Sequence, residues 1–289
     1  MRVKKTHIIS FLLPCILMFV FIYLIPLLMV FVTSFFEWKA GGVFNFVGLD
    51  NYIHAFTKDA RLHQTFKNTG IWVLLQMTVH MTIGTVLAIL LSHKRRGWKA
   101  LRTIFMIPNV ISSAALGIIF LNVFNSKYGL LNSFISTIIG KDFSKNWFFD
   151  LNSAFITVTL SWILYTGLIM IIILAGLMSV PEDIVEAAKI DGASRTKIDL
   201  KIKLPNIITL MGTCVIISAT SMLKEFDLVY LTTNGGPGER TLNLPLYIYK
   251  TSLTDNNYGY ANMMSVVLII IGVIVVFSIN KAFHMDETD

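Results

Sequence analysis

Apolar residues in this chain come in long blocks, not in the short alternating runs of a soluble domain. Six stretches, residues 8–36, 70–92, 103–126, 151–181, 206–223 and 261–280, contain no Asp, Glu, Lys or Arg. A bilayer-crossing helix needs about 20 mostly apolar residues, and its backbone polar groups must be satisfied within the segment. None of the stretches has the two-residue alternation of a barrel strand. The pattern therefore predicts an all-α membrane protein with one transmembrane domain over residues 1–289. Its six helices are placed at about 8–36, 70–92, 103–126, 151–178, 206–225 and 261–280, with a loop at 179–205. Pro14 and Pro26 are expected to kink the first helix. Lys4 and Lys5 precede it as in a signal peptide, but its apolar run far exceeds a signal core of ~7–15 residues, so a retained anchor is expected.

Composition narrows the class. Of 289 residues, 55% are hydrophobic and 14% charged, against about 25% charged in an average soluble domain. An ordinary soluble enzyme, a disordered tail and a disulfide scaffold are excluded. Cys15 and Cys214 both lie in apolar runs, with a spacing that suits neither a metal site nor a set of bridges. The net charge of +7 is read as the Lys and Arg excess that orients membrane proteins, not as a nucleic-acid signal. Fourteen Lys and Arg flank one side of the six spans, among them Arg2, Lys4, Lys5 and the run Lys94-Arg95-Arg96; ten lie on the other side, over longer loops. The denser side is the cytoplasm, so both termini are expected inside the cell (inner or plasma) membrane.

Trp38, Trp147, Phe148 and Phe149 fall at span ends and are expected to form an interfacial aromatic belt. His80 is the one ionisable side chain in the second stretch and is expected to be a neutral, hydrogen-bonded histidine between helices. The chain has no G-x-x-x-x-G-K-[ST], H-E-x-x-H, G-x-S-x-G or paired-cysteine zinc pattern, so no catalytic residue, metal site or bound cofactor is expected. Without carboxylates or lysines inside the spans, proton-driven transport has little to work with. A passive pore, a membrane scaffold, or a transporter powered by another subunit remains.

The 179–205 loop is the most informative segment. Ser179-Val180-Pro181-Glu182-Asp183 reads as a helix start, with Ser179 capping and Glu182 at the third helical position. Asp191-Gly192 marks a turn, and a second helical stretch is expected from about Ser194 to Lys203. Small side chains at Ala187, Ala188, Gly192 and Ala193 would let a partner's backbone approach. An interfacial loop without a partner is the other reading. The series Glu186-Ala187-Ala188, Asp191-Gly192-Ala193 and Ile202-x-Leu204-Pro205 resembles the EAA motif of ABC importer permeases. The resemblance implies that Glu186, Ala187, Ala188, Asp191, Gly192 and Ala193 form a coupling helix on a separate ATP-binding subunit, which would carry the ATP and magnesium. The chain departs from the family pattern at Asp199, where an aromatic is common, and at Thr209, where a proline is common.

Further segments resemble the carbohydrate-uptake branch, that of maltose and glycerol-phosphate permeases, in its compact six-span form. They are Gly48-Leu49-x-Asn51-Tyr52, Arg102 with Pro108, Gly129-Leu130-Leu131-Asn132, Phe226-Asp227, Leu231 through Pro237, and Tyr258-Gly259-Tyr260-Ala261. This implies a type I importer permease fold and a second homologous permease as heterodimer partner. It also implies two ATPase subunits, an extracytoplasmic binding protein, and a carbohydrate substrate, an oligosaccharide. The stretch Asn234-Gly235-Gly236-Pro237-Gly238 can take backbone with positive φ at its Asn and Gly positions; the contact candidates in it are Asn234, Gly235, Gly236 and Pro237. They form either a plain turn or a loop touching the binding protein. A solute site near the membrane midplane is expected between spans four and five. Ser161, Leu164, Tyr165 and Leu168 share one helix face, as do Ser218, Ser221 and Met222. The resemblance places sugar contacts on the same seven positions; helix packing is the alternative. An anionic solute such as glycerol phosphate is the rival within the class, disfavoured by the lack of cations in the spans.

Overall fold

The computed structural model describes residues 5–285. Arg2 and Lys4, counted above among the orienting charges, lie outside the described residues. Four helical stretches there, some with local breaks, are long and apolar enough to cross a bilayer: Phe11–Thr33, Ala60–Ser92, Ala154–Ser179 and Tyr258–Ala282. Two bent pairs, Trp98–Val110 with Ser113–Val123 at 102° and Arg195–Asn206 with Ile208–Thr232 at 75°, bring the number to as many as six when each pair is counted as one broken span. The expected helical membrane architecture is present. Several spans differ in detail from what apolar content predicts.

The chain divides into two compact units, the first made of residues up to Leu62 with Tyr247–Ile270, the second of His63–Leu246 with Ile271 onward. In the first unit the opening span is exposed along its length within the chain. Its helix passes through a π turn at Val20–Leu24, just ahead of Pro26, whose missing N–H interrupts the hydrogen-bond ladder. The helix ends at Thr33, short of the expected residue 36. Phe36–Lys39 is a strand, paired antiparallel with Val43–Phe46. Gly41 and Gly42, at φ 95° and 93°, make the turn. Apolar content does not separate a helix end from an aromatic strand; the cross-strand pairs Phe36–Phe46 and Trp38–Phe44 do. Asn51 ties this corner together, its Nδ2 donating to the carbonyls of Ser34 at 2.9 Å and Phe36 at 3.0 Å.

Asp59 anchors the other end of this unit. Its Oδ2 accepts from the hydroxyls of Tyr247 and Tyr260, both at 2.7 Å. Its Oδ1 accepts from Leu62 N–H at 2.9 Å and so caps the helix that starts at Ala60. Burial works to raise its pKa, but the hydrogen bonds from Tyr260, Tyr247 and the backbone of Leu62 and Arg61 outweigh it. The carboxyl stays below its ordinary value of 3.8.

In the second unit the helices Met81–Ser92 and Gly167–Ser179 pack closely, and a Cβ on Gly84 would lie 3.0 Å from Ile169 Cγ2. Trp72 is fully buried, stacks on Phe155 at 4.9 Å and donates from Nε1 to Thr159 Oγ1 at 2.8 Å. The aromatic-belt expectation fails at Phe148, which is 2% exposed and packs edge-on against Phe124. Trp147 is drawn inward by a 2.7 Å bond to Asn132 Oδ1. A span-end position in sequence does not separate a lipid-facing ring from one that plugs a helix end.

Candidate functional site

The fourth span is broken. Helix Ala154–Ile163 ends, Leu164–Thr166 is non-helical, and a new helix runs from Gly167 to Ser179. The break frees backbone groups in mid-span, and side chains take some of them. His80, in a π turn at Gln76–His80, places Nε2 3.1 Å from the Tyr165 carbonyl, which makes Nε2 the protonated nitrogen of a neutral ring. The histidine is buried and hydrogen-bonded, as expected. With its amide turned so that both ends are satisfied, Asn109 donates to the same carbonyl at 3.3 Å and accepts from Gly167 N–H at 3.2 Å.

Beside this break lies a cavity of about 230 Å³. Of the seven predicted solute contacts, Tyr165, Leu168, Ser218, Ser221 and Met222 line it. Ser161 and Leu164 do not. Ser161 is 1% exposed and spends its hydroxyl on the Thr157 carbonyl at 2.8 Å. Leu164 is 62% exposed and sits in the break, where the helical spacing that put it on the same face no longer holds. The lining also includes Gln76, His80, Asn109, Trp162 and Glu225, which helical spacing alone did not select. The signal that finds three of them, Gln76, His80 and Trp162, is unspent hydrogen-bonding capacity. Gln76 Oε1, His80 Nδ1, Trp162 Nε1, Tyr165 Oη and Ser218 Oγ are buried and have no hydrogen-bond partner among the described residues. Buried polar groups are nearly always paired, so five such atoms on one small cavity mark a place for a polar guest. Two accept, one donates and two do either. The lining carries the Glu225 carboxylate and no lysine or arginine.

The loop between spans four and five forms a helix at Glu182–Ile190. Ser179 does not cap it. Val180 is extended, as a residue before proline prefers, so Ser179 ends the preceding helix and bonds to the Gly176 carbonyl at 2.9 Å. Pro181 takes the cap position, and Glu182 is the first helical residue, not the third. The helix closes with a Schellman motif. Gly192, at φ 75°, donates to the Lys189 carbonyl at 3.1 Å, and Ala193 to the Ala188 carbonyl at 2.9 Å. Glu186, Ala187, Asp191 and Gly192 are exposed, Ala193 is half-buried, and Ala188 is buried against the chain. Ile190, at 87% exposure, adds an apolar side chain to the outer face. The second helical stretch starts at Arg195, capped by Ser194, and passes through a π turn at Asp199–Lys203. Asp199, the departure from the family pattern, is 3% exposed, with Oδ2 3.0 Å from His93 Nε2 and Oδ1 3.6 Å from Lys203 Nζ. It ties the loop after the second span to the coupling loop.

In the segment after span five, Asn234, Gly235 and Gly238 have positive φ, while Gly236 does not. The buried hydroxyls of Thr233 and Thr241 pair at 2.6 Å, and Thr241 also donates to the Gly236 carbonyl at 2.8 Å. Asn234 is exposed, Gly236 and Pro237 are half-buried, and Gly235 is buried against Leu242. The turn is held from within and presents Asn234 outward.

Residues 80–284 match the family described as the inner membrane component of binding-protein-dependent transport systems. The chain belongs to that family: it is a permease subunit of an ABC transporter, and ATP hydrolysis belongs to a separate subunit. It is similar to the multiple sugar-binding transport system permease MsmF of Streptococcus mutans, at 31% identity over 278 residues and 94% of each chain. The trehalose/maltose transport system permease MalF of Thermococcus litoralis is 29% identical over 239 residues, 82% of this chain and 80% of that one. A solved bacterial alginate ABC transporter, in complex with an alginate pentasaccharide-bound periplasmic protein, has a chain of the same fold. It superposes with a TM-score of 0.81 at 22% identity, over 98% of this chain and 94% of that one.

Proposed function

We propose that this permease translocates a neutral carbohydrate, an oligosaccharide, received from an extracytoplasmic binding protein. The observation that carries the reading is the cavity at the span-four break. Its unpartnered donors and acceptors suit hydroxyl groups, which both give and take hydrogen bonds. An anionic solute would meet the Glu225 carboxylate with no facing cation. The sugars named for similar permeases point the same way. At about 230 Å³ the cavity is smaller than the ~300–1,000 Å³ of a complete ligand pocket. It holds about one sugar ring, and a second, homologous permease completes the pathway as a heterodimer.

Both termini lie in the cytoplasm in this reading, and the exposed face of Glu182–Ile190 docks on one of two ATPase subunits. Glu186, Ala187, Asp191 and Gly192 make the contact; Ala188 and Ala193 set the helix against the permease. Closure of the ATPases moves this helix and switches the pathway between its two openings. The Asn234–Pro237 turn faces the binding protein.

Radiolabelled uptake in cells with and without the gene tests the substrate. The panel is a set of neutral oligosaccharides together with glycerol phosphate. Loss of uptake of a neutral sugar is expected; loss for glycerol phosphate alone would overturn the neutral-solute reading. Coupling is tested by the double substitution Ala187→Asp, Ile190→Asp on the exposed face. It is expected to leave membrane insertion intact and reduce uptake to background.

A further inference from the structure

The first unit holds a larger cavity, of about 700 Å³, that the transport reading does not use. Its walls are strand Phe36–Lys39, helix Asp50–Thr57 and the π turn Lys250–Thr254, with Asp59 and Tyr260 between them. This is a built site, not an accidental gap. Ala40 N–H donates to the Asn256 carbonyl at 3.1 Å, and Lys39 and Asn257 form an isolated bridge. Gly259 lies so close to Phe36 that a Cβ there would collide with the Phe36 carbonyl. Asp59 is fully engaged by its two tyrosines and by Leu62, so it frames the cavity without being free for a guest.

One buried side chain on the lining is not engaged. Thr251 is 4% exposed, and its Oγ1 has no hydrogen-bond partner among the described residues. It stands in the π turn, a local distortion that recurs at functional sites. Around it the lining mixes signs: Glu37, Asp50, Asp59 and Asp255 against Lys39, Lys58 and Arg61. Glu37 and Lys39 pair with each other at 2.6 Å. The carboxylates outnumber the cations, which works against an anion. No cluster of three or more His, Cys, Asp or Glu among the described residues has metal-binding geometry. A ligand that donates to carboxylates and accepts from ammonium and hydroxyl groups, while carrying no charge, suits the groups that Asp59 and the Glu37–Lys39 pair leave over.

We propose that this cavity is a second saccharide site, for a neutral polyhydroxylated ring, separate in its residues from the cavity at the span-four break. The proposal rests on the carbohydrate reading given above. In the six-span reading, the segments 34–59 and 250–257 belong to the loops after the first and fifth spans, which carry the sparser Lys and Arg and so count as extracytoplasmic, the side from which a binding protein would deliver its solute. The site holds a ring of the incoming sugar chain there, with Thr251 and Asp255 as hydrogen-bonding residues.

The test uses the assembled importer in lipid nanodiscs, without binding protein, titrated with maltotriose, raffinose and trehalose, alongside uptake in cells. Saturable binding of one sugar is expected. Thr251→Val is expected to weaken one component by about tenfold, as for loss of one hydrogen bond to a ligand, while Trp162→Phe leaves that component unchanged. Asp255→Asn, at an exposed position, is expected to weaken the same component with an unaltered unfolding temperature. Without sugar, Thr251→Val is expected to unfold at the wild-type temperature or above it, because its hydroxyl has no partner to lose. If Trp162→Phe removes all saturable binding and neither Thr251→Val nor Asp255→Asn changes it, while wild-type cells still take up that sugar, the second site is overturned and the carbohydrate reading stands. If no neutral sugar is bound or taken up, both fall.

Discussion

Asp59 and the break in span four handle buried polar atoms in opposite ways. Around Asp59 the demand is met: two tyrosine hydroxyls and a helix N-terminus converge on one carboxylate. Around Leu164–Thr166 it is not: Gln76, His80, Trp162, Tyr165 and Ser218 each keep a polar atom without a partner. A satisfied network rigidifies, because removing any member leaves the others unpaired in a low dielectric. An unsatisfied set contributes no stability and waits for a guest that can complete it. The same residue types, tyrosine among them, therefore serve as frame in one region and as site in the other. What separates them is whether an acceptor lies within reach.

The sharpest way to break this comparison is to delete the satisfied acceptor. Asp59→Ala strips a cap and leaves two buried hydroxyls without an acceptor, which is expected to cost about 3 kcal/mol or more in thermal unfolding of the assembled complex. An unchanged unfolding temperature would show that the tyrosines find other partners. The pH dependence follows from the same carboxylate. Its folded pKa lies below the ordinary 3.8, so its stabilising contribution is fully present above about pH 4 and fades as the pH falls through the folded value. Asp59→Asn is expected to remove this acid-dependent part of the unfolding profile.

Next in size is the unsatisfied region. Trp162→Phe keeps the ring and removes one orphan donor. Uptake is expected to fall about tenfold, with no loss of thermal stability. A loss of stability with normal uptake would make the indole nitrogen structural and weaken the contrast. The smallest effects are expected where the predicted face misses the cavity. Ser161→Ala and Leu164→Ala are expected to change uptake by less than about twofold, the range of substitutions outside any site. A large effect at Leu164, exposed as it is within this chain, would place it against the second permease.

Much of the molecule was legible from residue order. The helical membrane architecture follows from uncharged runs, since a bilayer admits little else. The Glu186–Ala193 series was legible as a motif, and the structure gives its physical content: Gly192 supplies the positive φ that lets Ala193 reach back to the Ala188 carbonyl. The hairpin at Phe36–Phe46 was not legible, because aromatic residues lengthen an apolar run whether they continue a helix or start a strand. Nor was the burial of Phe148 or of Asp199, since both depend on partners far along the chain.

The candidate solute site divides along the same line. Residue spacing by itself determined that spans four and five each carry a polar face, because helical periodicity is a local property. Of the residues on those faces, Tyr165, Leu168, Ser218, Ser221 and Met222 line one cavity. Only the tertiary structure decided that Ser161 and Leu164 stand outside it, because the break at Leu164–Thr166 resets the helical phase. Only the tertiary structure brought Gln76 and His80 to the same lining as Trp162, because whether a buried polar atom finds a partner depends on what folds against it, and no local pattern records that.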